Sequence, residues 1–211
     1  VTIPKAAGRR HLIERRAESG PVQPMLEIRM SRIPTPATIA DAPAESQPLL
    51  EAVQKQLGST PNLFRIVANS PAALEGFLGL NGALARGRLP APTRERIALA
   101  VAEINGCGYC LAAHAYLAKN LVKLSAEEIA ANRRGQSADP TADAAVRFAA
   151  KLASGRGRVE AEDIAVLRAA GYDDGQIVEV IAHVALNTLT NYMNVALATE
   201  VDFPVLEGVA A

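Results

Sequence analysis

Both cysteines of the chain and one of its three histidines lie in one short stretch, Cys107-Gly-Tyr-Cys110-Leu-Ala-Ala-His114. From Cys107 to Lys119 the sequence is rich in Ala and Leu and free of proline and β-branched residues, which predicts a helix, and Asn105-Gly106 just before it is a break signal. At about 100° per residue, Cys107, Cys110 and His114 fall within a sector of roughly 60° on that helix. Two thiols and an imidazole therefore share one face. Sulfurs at i and i+3 close to a disulfide with modest adjustment, and cysteines at a helix N-terminus feel a partial positive charge that favours the thiolate. Such a pattern suits a redox-active pair. Zinc is an alternative, with Cys107, Cys110, His114 and a nearby carboxylate as ligands, although structural zinc usually draws ligand pairs from two segments and this chain has one Cys-x-x-Cys. An inert pair of buried small cysteines is the other.

Two carboxylates bear on the thiols. Glu103 lies four residues before Cys107, and Glu95 twelve before it, on the helix suggested by Thr93-Arg-Glu-Arg-Ile-Ala-Leu-Ala-Val-Ala-Glu-Ile104. If that helix folds back on the cysteine helix, Glu95 reaches the site. A carboxylate beside a thiol opposes its ionisation, so the useful role of Glu95 is that of a base, taking the thiol proton directly or through His114 and water. A free thiol with a pKa of about 8.5 is largely protonated at neutral pH, so a base has something to gain. The alternative is a solvated Glu95 between Arg94 and Arg96.

With Glu95, Cys107-Gly-Tyr-Cys110 and His114 set inside Ala-Val-Ala-Glu-Ile-Asn-Gly-Cys, the chain resembles the core of the alkylhydroperoxidase D-like (AhpD-like) proteins of the carboxymuconolactone decarboxylase superfamily. Ser31-Arg-Ile-Pro34, Thr60-Pro-Asn-Leu-Phe-Arg65 and the closing Asn187-x3-Asn191-x2-Asn194 with Val201-Asp-Phe-Pro204 resemble its peroxidase-related branch, so the likeness covers roughly 31–206. The resemblance implies an all-α fold that assembles into homo-oligomers and reduces peroxides through the two cysteines. It makes Cys110 the attacking residue, Cys107 the resolving one, and Glu95 and His114 the proton relay, with no metal and no cofactor. The helix-terminal field by itself would favour ionisation of Cys107 over Cys110. One departure stands out: well-studied members carry a histidine immediately before the second cysteine, where this chain has Tyr109. A phenol donates a hydrogen bond but is no base near neutral pH. The relay is therefore shorter here, with Glu103 as a candidate extra carboxylate. The resemblance also implies an external dithiol reductant, in those members a lipoyl-bearing protein acting through an adaptor.

The elements that must position these residues read as helices. Ser70-Pro71 opens one that runs to about Arg86, Gln47-Pro48 another that stops at Gly58, and Thr60-Pro61 a third, each a proline near a helix start. Gly87 to Pro92 is the expected loop before the Glu95 helix. Ser125-Ala-Glu-Glu128 reads as a capping box, Asp139-Pro140 starts a helix through Val146, Phe148 and Leu152, and Glu160 to Ala170 forms a short one closed by Gly171. No segment alternates like a strand. Three prolines between Ile33 and Ala44 predict an extended arm. The fold class is all-α, a single helical domain over 31–206 built from helix hairpins.

Composition narrows the partners. Hydrophobic residues make up 49% of the chain, and 22 basic residues balance 22 acidic ones, so nothing favours nucleic acid or an anionic membrane. Two cysteines at this spacing suit a reducing compartment, and a cytoplasmic protein is expected. Residues 1–30 read as a flexible basic tail with Lys5, Arg9, Arg10, Arg15 and Arg16, no apolar stretch for a signal peptide, and no role for His11; 207–211 form a short C-terminal tail. Because the chain opens on Val1, with Met25 and Met30 ahead of the family-like segment, an upstream misassignment of the translation start is expected, which intact mass of the native protein decides. A targeting tail is the alternative, against which Glu14 and Glu18 argue.

The last long helix, from Asp174 to about Glu200, opens on a second capping pattern, Asp173-x-x-Gln176. His183, Asn187, Asn191 and Asn194 fall within about 80° of one another on it. A polar stripe on an otherwise apolar helix is a satisfied internal network, a subunit contact or a wall of the active site. The same helix is the candidate contact of a homo-oligomer. Outside peroxide reduction, two further functions are compatible with the sequence: a lactone decarboxylase, which needs no vicinal thiols, and a non-catalytic thiol switch or sensor.

Overall fold

The computed structural model describes residues 31–204; the expectations for 1–30 and for the stretch beyond 204 lie outside them. Among the described residues nine α-helices and two short 3-10 turns account for the regular structure, with no strand. The helices are α1 (Gln47–Leu57), α2 (Asn62–Val67), α3 (Pro71–Ala85), α4 (Ala91–Ile104), α5 (Gly108–Asn120), α6 (Ala126–Arg133), α7 (Pro140–Ser154), α8 (Ala161–Ala169) and α9 (Asp174–Leu197).

Local chemistry accounts for most helix starts. Ser70 Oγ accepts the Ala73 N–H ahead of α3, and Asp139 takes the N–H groups of Thr141 and Ala142 at the start of α7, with proline at the first helical position in both. Asp173 and Gln176 exchange side-chain and backbone bonds at the start of α9. Four expectations are corrected. Ser125 caps α6, but Glu128 does not return the bond, because its carboxylate is taken by Arg96, Asn132, Ser137 and Ala138. Thr60 donates to Gln54 instead of capping α2, which begins at Asn62. Pro92 belongs to the first turn of α4, where a missing N–H costs nothing. The arm expected between Ile33 and Ala44 is interrupted by a 3-10 turn at Ile39–Asp41, which Thr38 and Asp41 cap reciprocally, and a second, Ala44–Ser46, follows.

α4 lies at the centre, packed against α5, α6, α7 and α9. Ile97, Ala98, Leu99, Ala100, Val101 and Ala102 are all buried, which is what a helix that is apolar all round requires. One core joins α4 to α7, α8 and α9 through Ile97, Val101, Phe148, Leu167 and Val184. A second gathers α1, α2 and α3 on Leu186 of α9, with Phe64 and Phe77 stacked at 5.4 Å. The segment ahead of α1 is tied to the end of α9: the Arg32 N–H donates to the Leu197 carbonyl at 2.7 Å and its guanidinium to the Ala196 carbonyl at 2.8 Å. α9 stops at Leu197, short of the expected Glu200, on Ala198 in the left-handed region. No helix among the described residues is long and apolar enough to cross a membrane.

Candidate active site

The two cysteines are placed by the turn between α4 and α5. At the end of α4 the Gly106 N–H bonds to the Glu103 carbonyl (3.1 Å) and the Cys107 N–H to the Ala102 carbonyl (2.9 Å), the paired closure that needs a left-handed residue between them. Gly106 supplies it at φ 63°. Cys107 follows at once as the N-cap of α5, its sulfur accepting the Cys110 N–H at 3.2 Å where a serine or aspartate oxygen would usually sit. A helix end and a helix start thus share one residue, and both sulfurs stand in the first turn of α5. They are joined as a Cys107–Cys110 disulfide.

Cys107 is 0% exposed and Cys110 3%, so both are buried. The Cys110 sulfur has a second neighbour from across the fold: Asn194 Nδ2 of α9 donates to Cys110 Sγ at 3.3 Å. About one turn further along α5, roughly 6 Å along the axis, stands His114. α4 and α5 form an antiparallel hairpin, and Glu95 in the first half of α4 meets His114, Oε2 to Nδ1 at 2.8 Å, with side chains 20% and 23% exposed. Glu95 is therefore coupled to the imidazole rather than set on a thiol. Among the described residues no group of three or more His, Cys, Asp and Glu stands in the arrangement of a metal site.

The other sequence-selected residues have different surroundings. Glu103, at the end of α4, accepts from Arg133 Nε at 2.6 Å, an ion pair with α6 and not a contact with the thiols. Tyr109 turns away from acid–base work: its hydroxyl donates to Asp202 at 2.9 Å and accepts the Leu63 N–H at 3.1 Å. Burial pushes the phenol above its usual range, reinforced by the Asp202 charge, so it stays protonated. Asp202 also accepts the Asn62 N–H at 2.7 Å, and Phe203 meets the Tyr109 ring edge-on at 5.7 Å. The chain after α9 is strapped in this way across the start of α5, where Phe203 packs on the cluster that holds both cysteines.

The polar stripe of α9 faces inward. His183, Asn187, Asn191 and Asn194 are all buried. Asn187 bonds to the His183 carbonyl in its own helix, and Asn191 Oδ1 accepts from Asn105 at 2.9 Å, so it braces the turn that carries Cys107. His183 Nε2, Asn191 Nδ2 and Asn194 Oδ1 are buried with no protein partner. Desolvation lowers the His183 pKa to about 4, with the Arg94 charge pushing the same way and Glu179 and Glu95 opposing. It is a neutral imidazole above that pH. The contact of Asn194 with Cys110 and the strap of Asp202 and Phe203 went unassigned in the sequence, although the alignment of Asn194 with Asn187 and Asn191 was the visible signal for the first.

Comparison with known proteins agrees with this geometry. A model of the carboxymuconolactone decarboxylase family matches residues 71–155, the span of α3 to α7 that contains the cysteine hairpin. No curated protein matches the chain. Among solved structures the chain is similar to an alkylhydroperoxidase AhpD core, an uncharacterized peroxidase-related protein from Ralstonia eutropha JMP134, with 28% identity, 82% of this chain and 92% of that one covered, and a TM-score of 0.73. An uncharacterized peroxidase-related protein from Silicibacter sp. TM1040 is similar at 28% identity, 81% and 91% coverage and a TM-score of 0.70. The debrominase Bmp8 in complex with 2,3,4-tribromopyrrole shares the fold at 22% identity, 80% and 90% coverage and a TM-score of 0.67. The family match over α3 to α7, these likenesses and the helix hairpin that carries Cys107 and Cys110 together support an AhpD-like protein of the carboxymuconolactone decarboxylase superfamily.

Proposed function

We propose that the protein is a thiol-dependent peroxidase that cycles between the Cys107–Cys110 disulfide and the dithiol. The observation that carries this reading is the joined sulfur pair at the start of α5 with a coupled His114–Glu95 pair one turn on. In the reduced protein the pair of His114 and Glu95 takes the Cys110 proton. The Cys110 thiolate attacks the hydroxyl-bearing oxygen of the peroxide; the O–O bond breaks, Cys110 becomes a sulfenic acid, and the alkoxide leaves with the proton held on His114. Cys107 then attacks the sulfenic sulfur, releasing water and closing the disulfide. An external dithiol, of which a lipoyl group is one kind, restores the pair by exchange at the Cys107–Cys110 disulfide and leaves as its own disulfide. The net change is one peroxide and one dithiol to one alcohol, one water and one oxidised reductant. A cytoplasmic setting, where thiols are kept reduced, fits this cycle.

Homo-oligomer formation belongs to the same proposal. The outward side of α9 exposes Val178, Ile181, Leu189, Tyr192 and Val195, an apolar face on the longest helix. A second copy of the chain is its occupant.

The test is stoichiometric. One equivalent of an organic hydroperoxide added to reduced protein should remove two thiols within seconds, and a trapped sulfenic acid should appear in Cys107→Ser and not in Cys110→Ser. Thiols that persist no less than those of free cysteine would return the choice to a decarboxylase or a thiol switch.

A further inference from the structure

Two sulfurs in the first turn of one helix compete for the role of nucleophile, and the helix field favours Cys107, whose sulfur takes the Cys110 N–H. Something outside the helix must tip the choice the other way if Cys110 attacks. Asn194 is the side chain from across the fold that donates to Cys110 Sγ. It is 3% exposed, held on α9, and its other polar atom, Oδ1, is buried with no protein partner. One turn back on the same face, Asn191 offers the complementary orphan, a buried Nδ2 donor whose own Oδ1 is fixed by Asn105. A buried acceptor left open on the side chain that donates to a reactive sulfur, with a buried open donor one turn back on the same helix, is costly unless something fills them. A hydroperoxide does so: its terminal O–H donates and its inner oxygen accepts. His183 Nε2, the third orphan, is about 12 Å back along the helix from Asn191 and takes no part.

We propose that Asn194 is a catalytic residue that holds both reactants of the oxidation step, its Nδ2–H on the Cys110 thiolate and its Oδ1 on the O–H of the hydroperoxide under attack. This rests on the peroxidase reading and names its substrate class, hydroperoxides with a free O–H. The step balances: Cys110–S⁻ and H–O–O–R give Cys110–S–O–H and R–O⁻, sulfur losing the two electrons that the O–O bond takes up. The proton on the attacked oxygen stays with it throughout, so Asn194 Oδ1 accepts from the peroxide and then from the sulfenic acid without moving. The alkoxide is protonated from the His114–Glu95 side.

The two roles of one amide separate in a single-thiol background. The full chain carrying Cys107→Ser would be reduced, and alkylation of Cys110 by iodoacetamide followed against pH. Sulfenic acid formation with tert-butyl hydroperoxide would then be measured at the plateau pH, where Cys110 is fully ionised. Loss of the donor moves the alkylation midpoint up by about one to two pH units, the size of a hydrogen bond to a charged group, and leaves the plateau alone. Asn194→Leu is expected to show that shift and, at the plateau, sulfenic acid formation roughly tenfold slower or more. Asn194→Asp, nearly the same shape, is expected to keep the acceptor, so its midpoint rises while its plateau peroxide rate stays within about threefold of the parent. Unchanged midpoint and unchanged peroxide rate in both variants, with helical circular dichroism intact, would overturn the assignment and leave the peroxidase reading standing. An Asn194→Asp rate as low as that of Asn194→Leu would overturn the acceptor role and reduce the orphan oxygen to a water site. A parent that alkylates with the expected Asn194 dependence but forms no sulfenic acid with any hydroperoxide would overturn the peroxidase reading and keep the thiolate-holding role.

Discussion

Tyr109 stands between the two cysteines and works as a tie rather than a base. Its hydroxyl joins α5 to the Leu63 N–H on one side and Asp202 on the other. Tyr109→Phe leaves a partly buried N–H and a carboxylate oxygen without that partner, an expected cost of about 1–3 kcal/mol in urea unfolding, with the pH profile of Cys110 alkylation unmoved. His183 and Glu128 give the molecule two separate acid transitions. The His183 pKa falls from 6.5 to about 4 on folding, so between those values the unfolded chain binds the extra proton and stability is lost as pH falls. Glu128 behaves in the same direction lower down. Burial pushes its carboxyl up, but bonds from Ser137, Ala138, Asn132 and Arg96 outweigh burial and hold it at about 2, so its contribution is complete above 4.5 and fades towards 2. His183→Leu should flatten the urea-midpoint loss between about pH 6.5 and 4 and leave the loss below it; an unchanged profile would remove His183 as its source.

The α4–α5 turn is the element on which the site depends. Gly106 at φ 63° closes α4 and hands the chain directly to Cys107. Gly106→Ala should cost about 1–2 kcal/mol and slow closure of the Cys107–Cys110 disulfide, because a shifted turn moves the N-cap sulfur. Gly58→Ala, at a left-handed helix end far along the chain, should cost a similar amount and leave disulfide closure alone. Comparing the two by thermal unfolding and thiol titration separates strain from site geometry. Element starts were legible where the signal is local, as at Asp139-Pro140 and Asp173-x-x-Gln176. They were misread at Ser125–Glu128 because Arg96 of α4, 32 residues away, captures the glutamate at 2.7 Å. No local pattern reports a partner at that distance.

The longest helix gives the molecule an inverted profile. α9 buries His183, Asn187, Asn191 and Asn194 and turns Val178, Ile181, Leu189, Tyr192 and Val195 outward. If a second copy covers this face, as proposed above, light scattering at micromolar concentration is expected to give a mass above one chain. Tyr192→Glu, which places a charge in that face, should lower the mass towards the monomer while thiol oxidation by peroxide in the isolated chain persists. A clean monomer for the parent would remove the interface.

Residue types and spacing were enough for the helical class and for setting Cys107, Cys110 and His114 on one helix face, since each follows from periodicity, break signals or a motif within a few turns of chain; the fold-back of the Glu95 helix entered only as a condition, and the relay roles of Glu95 and His114 came from the family resemblance. Tertiary packing decided what those residues touch. It coupled Glu95 to His114, gave Glu103 to Arg133 and Tyr109 to Asp202, and brought Asn194 across 84 residues of sequence onto the Cys110 sulfur. The physical reason is range: capping and periodicity act over about one turn, whereas burial and hydrogen-bond satisfaction are settled only when distant helices meet.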